Sequence, residues 1–146
     1  MNAAWPLGVD MLEWKKAKAF YETHRDSLGR FLCPTEASFV LTSRKPYESL
    51  AMILSAKEAV FKALGISWMG LSGFQKIRIL PAKGPFSFRL NGNFKKKLSR
   101  KVPLEISFVK SRRHVVATCC PVRANSPRPF TRSSIAQNGR GACAGI

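Results

Sequence analysis

The chain has 146 residues, which suits a single domain, because two halves of this chain would lie near the lower limit of independent folding. Hydrophobic residues make up 45% of it and include ten Phe and three Trp, a composition that excludes a fully disordered or collagen-like chain. The net charge is +17, and seventeen of the 25 basic residues follow Glu58 together with a single acid, Glu105. This asymmetry indicates an anionic partner such as a nucleic acid, an acidic protein, a phosphorylated ligand or a membrane surface.

The first half of the sequence predicts three helical segments behind a short strand. The strand covers Trp5 to Asp10, and Asp10 is expected to cap a helix that continues to about Arg25. A short helical turn follows Pro34. A longer helix begins with Pro46 in its first turn and ends at Gly65, which is a typical left-handed C-terminal stop.

The second half predicts strands. Alternating residues indicate one strand from Phe74 to Leu80 and another from Phe86 to Leu90. Leu104 to Val109 and His114 to Cys119 read as a strand pair joined by a basic turn. Helices followed by antiparallel strands predict an α+β fold, with the long helix packed on an antiparallel sheet.

The composition divides the chain into a domain at 1–121 and a basic tail at 122–146 that is expected to be disordered. No apolar run is long enough for a membrane span and no signal peptide is visible, so we expect a cytoplasmic protein. The four cysteines have no zinc-type spacing and are expected to be reduced thiols: Cys33, Cys119, Cys120 and Cys143.

The long helix carries charged residues in an unusual arrangement. On a helical wheel Lys57 lies within the apolar arc that should face the core, while Glu58 and Lys62 share a neighbouring strip. One interpretation is a lysine that snorkels to the edge of the core and an ordinary i,i+4 ion pair. The other joins these residues with Asp10 in a site for a metal and a phosphate ester, since Mg²⁺ prefers one or two carboxylates, water and phosphate oxygens.

Two segments carry a family resemblance. They are Gly8-Val9-Asp10 and, further along, Ser55-Ala56-Lys57-Glu58-Ala59-Val60-Phe61-Lys62-Ala63-Leu64-Gly65. Together they resemble the signature segments of 4′-phosphopantetheinyl transferases, and most of all the short holo-acyl carrier protein synthase type. Gly70, Phe74, Ile77 and Ile79 also look like the family, so the resemblance extends from about Leu7 to Thr118.

The resemblance implies transfer of the 4′-phosphopantetheine arm from coenzyme A to a serine of an acyl or peptidyl carrier protein, with release of adenosine 3′,5′-bisphosphate. It implies Asp10 and Glu58 as ligands of Mg²⁺, or of Mn²⁺, and Glu58 as the proton acceptor, directly or through a metal-bound water. Lys62 would act in catalysis by holding the transferring phosphate. Lys57 is assigned to a coenzyme phosphate as well, although its inward position equally fits pairing with an acid.

The family resemblance also implies partners. An acidic carrier protein would dock on Lys15, Lys16 and Lys18, which occupy the basic part of the helix after Asp10. Short members of the family assemble as homotrimers with the coenzyme at the subunit boundary, so another chain would complete the site. Fatty-acid synthesis is one pathway that such an enzyme serves.

The sequence departs from the family pattern at two places. Ile53 stands where the synthases often have an arginine, and Ile106-Ser107-Phe108-Val109 keeps only the first serine of their Ser-x-Ser-His run. Either Lys110, Arg112 and Arg113 take over the phosphate contacts, or coenzyme binding is altered.

Two rival interpretations remain open at the level of sequence. One is a nucleic-acid-binding domain that uses Lys95 to Lys101, the turn arginines and the tail, but it leaves the motif from Lys57 to Lys62 unexplained. The other is a catalytically degenerate carrier-binding module of the same fold. Replacement of Glu58 by Gln separates them from the enzyme, because only the enzyme should lose an activity.

Overall fold

A computed structural model describes residues 6–66, 71–91 and 103–122. The strands are β1 (Gly8–Glu13), β2 (Ile77–Leu80), β3 (Ser87–Leu90), β4 (Leu104–Lys110) and β5 (His114–Pro121). The helices are α1 (Trp14–His24), α2 (Pro34–Leu41), α3 (Pro46–Ala63) and α4 (Leu71–Lys76), with a 3-10 segment at Arg25–Arg30. The predicted basic run from Lys95 to Lys101 and the predicted tail beyond Val122 lie outside the described residues.

The strands form two antiparallel units, and the α+β prediction is confirmed. One is a three-stranded sheet in the order β1-β5-β4, and the other is a ribbon of β2 and β3. The long helix α3 packs against β1 and β5 on one side and against α1 and α2 elsewhere. In the described part of the chain, none of the helices combines the length and apolarity needed to cross a membrane.

Helix α3 forms the centre of the fold. It begins with Pro46 at its first turn, and it ends in a Schellman motif in which Gly65 adopts φ 62°. There the amide of Ile66 donates to the carbonyl of Phe61, and the amide of Gly65 donates to that of Lys62. Both predicted ends are therefore confirmed, and the predicted core face is buried, with Leu50, Ile53 and Val60 fully covered.

Two predicted boundaries are wrong. Asp10 neither ends the strand nor caps a helix, because β1 continues to Glu13. Every residue of β1 pairs with one of β5, and the register runs from Gly8 opposite Cys119 to Glu13 opposite His114. Phe74 does not begin a strand either, since residues up to Lys76 form α4 and the extended backbone starts at Ile77. The ladder ends at this point, because Ile77 pairs with Leu90, the last residue of β3.

The three-stranded sheet has one face against α3 and one face open. Residues opposite one another across the three strands share a face, so Met11, Val116 and Val109 form a row on the open side. Met11 is 59% exposed and Val109 is 68% exposed. Leu7 and Val9 are exposed as well, so this face presents an apolar surface.

Candidate active site

The candidate site lies where β1 crosses the C-terminal half of α3. The Nζ atom of Lys62 is 2.8 Å from Oδ1 of Asp10 and donates a second hydrogen bond to the carbonyl oxygen of Val9, at 3.0 Å. The side chain of Asp10 is 20% exposed, whereas that of Lys62 is 53% exposed. The ammonium group therefore holds the strand and remains open to solvent.

A glycine allows this close crossing. A Cβ atom built on Gly8 would stand 1.7 Å from the carbonyl oxygen of Ala59, so no other residue fits between β1 and α3. Asp10 lies on the same face of β1 as Gly8, two residues further along, and this places its carboxylate over the helix. The Gly-x-Asp spacing of the sequence thus has a direct steric reason.

Glu58 completes the group. It lies one helical turn before Lys62 and is partly buried. Burial is the main cause that raises the pKa of Glu58, the negative charge of Asp10 raises it further, and Lys62 partly offsets both. Among the described residues, Lys62 makes its ion pair with Asp10 rather than with Glu58, so the i,i+4 pair of the first interpretation is not what the structure shows.

The chemistry of the two carboxylates fits a hard divalent cation. The described part of the chain has no group of three or more His, Cys, Asp and Glu side chains that could enclose a metal. Mg²⁺ prefers one or two carboxylates with its further positions left to water and phosphate oxygens, and Asp10 and Glu58 are the residues that would supply the carboxylates. Zinc, which favours nitrogen and sulfur ligands in a closed tetrahedron, is a poor match.

Lys57 lies in the core of the protein, whereas the adjacent Glu58 is only partly buried. The side chain of Lys57 is fully buried, and its Nζ lies 2.8 Å from Oε2 of Glu36, which is also fully buried. Burial lowers the pKa of Lys57, and the charge of Glu36 partly offsets that effect. Of the two partners considered for this lysine, the structure shows the acid. The buried pairing with Glu36 does not support contact between Lys57 and a coenzyme phosphate, and that assignment stays a prediction.

The three lysines assigned to the carrier protein lie on the outer side of α1. Lys15, Lys16 and Lys18 are exposed, while Ala17 between them is buried against α3. Lys16 lies 4.0 Å from Glu13 and Lys18 lies 3.9 Å from Glu22, and exposed pairs of this kind are weak. The lysines therefore remain able to meet an acidic surface.

Sequence reasoning missed a basic groove at the opposite end of α3. A cavity of about 390 Å³ is lined by Trp14, Lys45, Tyr47, Glu48, Lys110, Ser111 and Arg112. The sequence singled out Lys110 and Arg112, but only the fold brings Lys45 and Tyr47 beside them. The indole of Trp14 fixes one wall by donating to the carbonyl of Ser111, at 2.9 Å.

Comparison with known proteins bears on the family and the fold. The family model described as the 4′-phosphopantetheinyl transferase superfamily matches residues 6–119. A holo-[acyl-carrier-protein] synthase of Moorella thermoacetica is 32% identical over 111 residues, which cover 75% of this chain and 86% of the relative. The corresponding synthase of Chloroherpeton thalassium is 34% identical over 103 residues, covering 69% of this chain and 85% of that protein.

Solved structures show the same fold. The crystal structure of the synthase from Neisseria meningitidis superposes with a TM-score of 0.66 at 25% identity, covering 81% of this chain and 98% of that one. The synthase of Helicobacter pylori, solved in complex with coenzyme A, gives a TM-score of 0.61 at 22% identity and covers 80% of this chain and 99% of its own.

The α+β unit is thus that of a group-transferring enzyme. The chain belongs to the 4′-phosphopantetheinyl transferase superfamily.

Proposed function

We propose that this protein transfers the 4′-phosphopantetheine group of coenzyme A to a serine of an acyl or peptidyl carrier protein and releases adenosine 3′,5′-bisphosphate. The observation that carries the proposal is the meeting of Asp10, Glu58 and Lys62 at the crossing of β1 and α3, in a chain of this superfamily. The names of the curated relatives, which are holo-[acyl-carrier-protein] synthases, support the same carrier-protein substrate.

Asp10 and Glu58 would hold Mg²⁺, or Mn²⁺, and the ion would supply charge neutralisation on the pyrophosphate of the coenzyme. Lys62 contributes a fixed positive charge. Two of its three protons meet Asp10 and Val9, and its exposed side leaves the third for an oxygen of the transferring phosphate. The lysine thereby orients the phosphate against β1.

Glu58 is the proton acceptor in this proposal. Its raised pKa makes it a stronger base than an ordinary glutamate. The serine oxygen forms a bond to the β-phosphorus, and the bond from that phosphorus to the bridging oxygen breaks. The serine proton passes to Glu58, and the bridging oxygen leaves with adenosine 3′,5′-bisphosphate.

The outer side of α1 is the docking surface for the carrier protein. Lys15, Lys16 and Lys18 follow directly after the strand that carries Asp10, so a carrier bound there lies beside the site. Opposite charges speed the encounter and make it sensitive to salt.

The protein acts as a homotrimer in this proposal, and the apolar open face of the three-stranded sheet supports that assembly. Exposed Leu7, Met11 and Val109 would be covered by neighbouring copies. The groove of Lys110 and Arg112, which begins beside Trp14, would supply cations to a phosphate of the coenzyme.

The test is intact-mass spectrometry of an apo carrier protein, beginning with one of fatty-acid synthesis, after incubation with this protein, coenzyme A and Mg²⁺. We expect a gain of roughly 340 Da, the mass of the transferred arm, on the carrier serine. Omission of metal, Glu58→Gln and a carrier whose serine is replaced by alanine should each remove the gain. Absence of transfer to every carrier tested, with folded protein and metal present, would contradict the proposal.

A further inference from the structure

A buried ion pair lies next to the candidate site without touching it. Glu36 of α2 and Lys57 of α3 have no exposed side-chain surface, and 2.8 Å separates their charged atoms. Lys57 immediately precedes Glu58 in the helix, so the two side chains leave α3 about 100° apart. One is therefore fixed inside the core, and the other points towards the crossing with β1.

The pair joins four parts of the fold. Oε2 of Glu36 accepts a hydrogen bond from the amide of Cys33 at 2.9 Å, and Oε1 accepts one from the amide of Ile79 at 2.6 Å. Lys57 in turn donates to the carbonyl of Phe74. The two side chains thus connect the start of α2, the helix α4, the strand β2 and the middle of α3.

Such an arrangement specifies geometry more than it adds stability. Well-packed apolar side chains of similar volume often replace a buried ion pair with no loss of stability, because the charges no longer have to be desolvated. The four directed contacts, in contrast, can all form at only one angle of rotation of α3 about its axis relative to α2 and β2. An apolar pair would tolerate small rotations.

The neighbouring residues show where that rotation matters. Ala59 is fixed on the other side of Glu58, because its carbonyl oxygen lies against the backbone of Gly8. Glu58 is therefore held between two anchors, Lys57 on the core side and Ala59 on the side of β1. A helix that turned about its axis would move the Glu58 carboxylate away from Asp10.

We infer that Glu36 is a positioning residue: through Lys57 it fixes the rotation of α3 and so directs the carboxylate of Glu58 towards Asp10 for divalent-cation binding. This inference rests on the proposed function, which makes Asp10 and Glu58 the metal ligands. Glu36 and Lys57 would thus act on the site through the helix, without contacting the substrate or the metal.

The test uses the full chain and Mn²⁺ as the probe, with binding followed by electron paramagnetic resonance in the absence of coenzyme. In Glu36→Leu/Lys57→Met both charges are removed at similar volume, so the protein should remain folded by near-ultraviolet circular dichroism. We expect its Mn²⁺ dissociation constant to rise about tenfold or more, the usual effect of losing a group that orients a ligand. The exposed pair Arg25→Gln/Asp26→Asn is the matched control and should bind Mn²⁺ as the wild type does.

A folded double variant with wild-type Mn²⁺ affinity would overturn the inference. If the double variant does not fold, Glu36→Asp decides, because it keeps the charge, shortens the reach by one methylene and should weaken Mn²⁺ binding in a folded protein. Wild-type affinity in folded Glu36→Asp would equally overturn it. Glu58→Gln tests the proposed function separately. Unchanged Mn²⁺ affinity in that variant would show that Glu58 is not a metal ligand and would overturn the inference as well. If the affinity is lost, the metal site stands, and the double variant and Glu36→Asp then test the inference.

Discussion

The backbone of Gly8 lies directly against the carbonyl oxygen of Ala59, with space for a hydrogen atom and no space for a methyl group. This contact sets the distance between β1 and α3. Since Asp10 is carried by β1 while Glu58 and Lys62 are carried by α3, the same contact sets the distance between the three charged groups.

Gly8→Ala should damage both stability and activity. The added methyl group would have to push β1 away from α3, and forcing an extra carbon into a packed interior costs about 1 to 3 kcal/mol. Urea denaturation should show a loss at the upper end of that range, and transfer to the carrier should fall at the same time. Gly29→Ala is the control, because nothing lies within 4 Å of the position of its Cβ. Equal stability of the two variants would contradict this account of the crossing.

Glu58→Gln should abolish transfer in a protein that remains folded. The amide has nearly the same shape but cannot accept the serine proton, and it is a poor ligand for Mg²⁺. Loss of a general base alone lowers the rate by about 100-fold or more. Single-turnover measurements by mass spectrometry would show the loss. Transfer at the wild-type rate would mean that the proton goes elsewhere.

The same variant should be more stable than the wild type in the absence of metal. Burial and the charge of Asp10 raise the pKa of Glu58 above the ordinary glutamate value of 4.5, so the folded state holds its proton more tightly than the unfolded chain does. The wild type therefore loses stability as the pH rises from the ordinary value through the raised one, and Glu58→Gln is free of this loss. Thermal unfolding in the presence of a chelator should give a higher Tm for the variant at pH 7 and similar values for both proteins at pH 4.

The basic groove offers a test of coenzyme binding that leaves the chemistry intact. In Lys110→Ala/Arg112→Ala we expect the KM for coenzyme A to rise about tenfold, which corresponds to a loss of about 1.4 kcal/mol, with kcat nearly unchanged. Lys83→Ala removes an exposed cation elsewhere and should leave both constants as they are. A wild-type KM in the double variant would show that the groove does not take over the missing contacts of the family's arginine and histidine.

Cys119 should resist alkylation in the native protein. Its side chain is completely buried, and burial together with the neighbouring Cys120 raises its pKa to about 12. The reactive thiolate form is therefore scarce at pH 8. Iodoacetamide treatment followed by peptide mass spectrometry should leave Cys119 unmodified until denaturant is added, while Cys120, which is partly exposed, should react earlier.

The sequence sufficed for those features that depend on neighbours along the chain. Pro46 and Gly65 mark the ends of α3, and the helical period places Lys57 among the apolar residues. The partner of Lys57 could not be found in this way, because Glu36 lies in another helix, and an acid in the first turn after Pro34 is unremarkable by itself. The extent of β1 was missed for a similar reason. Asp10 followed by a helix-forming segment suggests a cap, and only pairing with β5 keeps residues up to Glu13 extended.

That pairing also governs the order in which the site can form. Glu13 and His114 are partners in the sheet although about a hundred residues separate them along the chain. During synthesis, β1 emerges first and its partner β5 emerges after all the other described strands. A nascent chain that ends before His114 already contains α3 with Lys57, Glu58 and Lys62, yet it lacks the strand that keeps Asp10 in place. We therefore expect the proposed activity to appear only when β5 has joined β1.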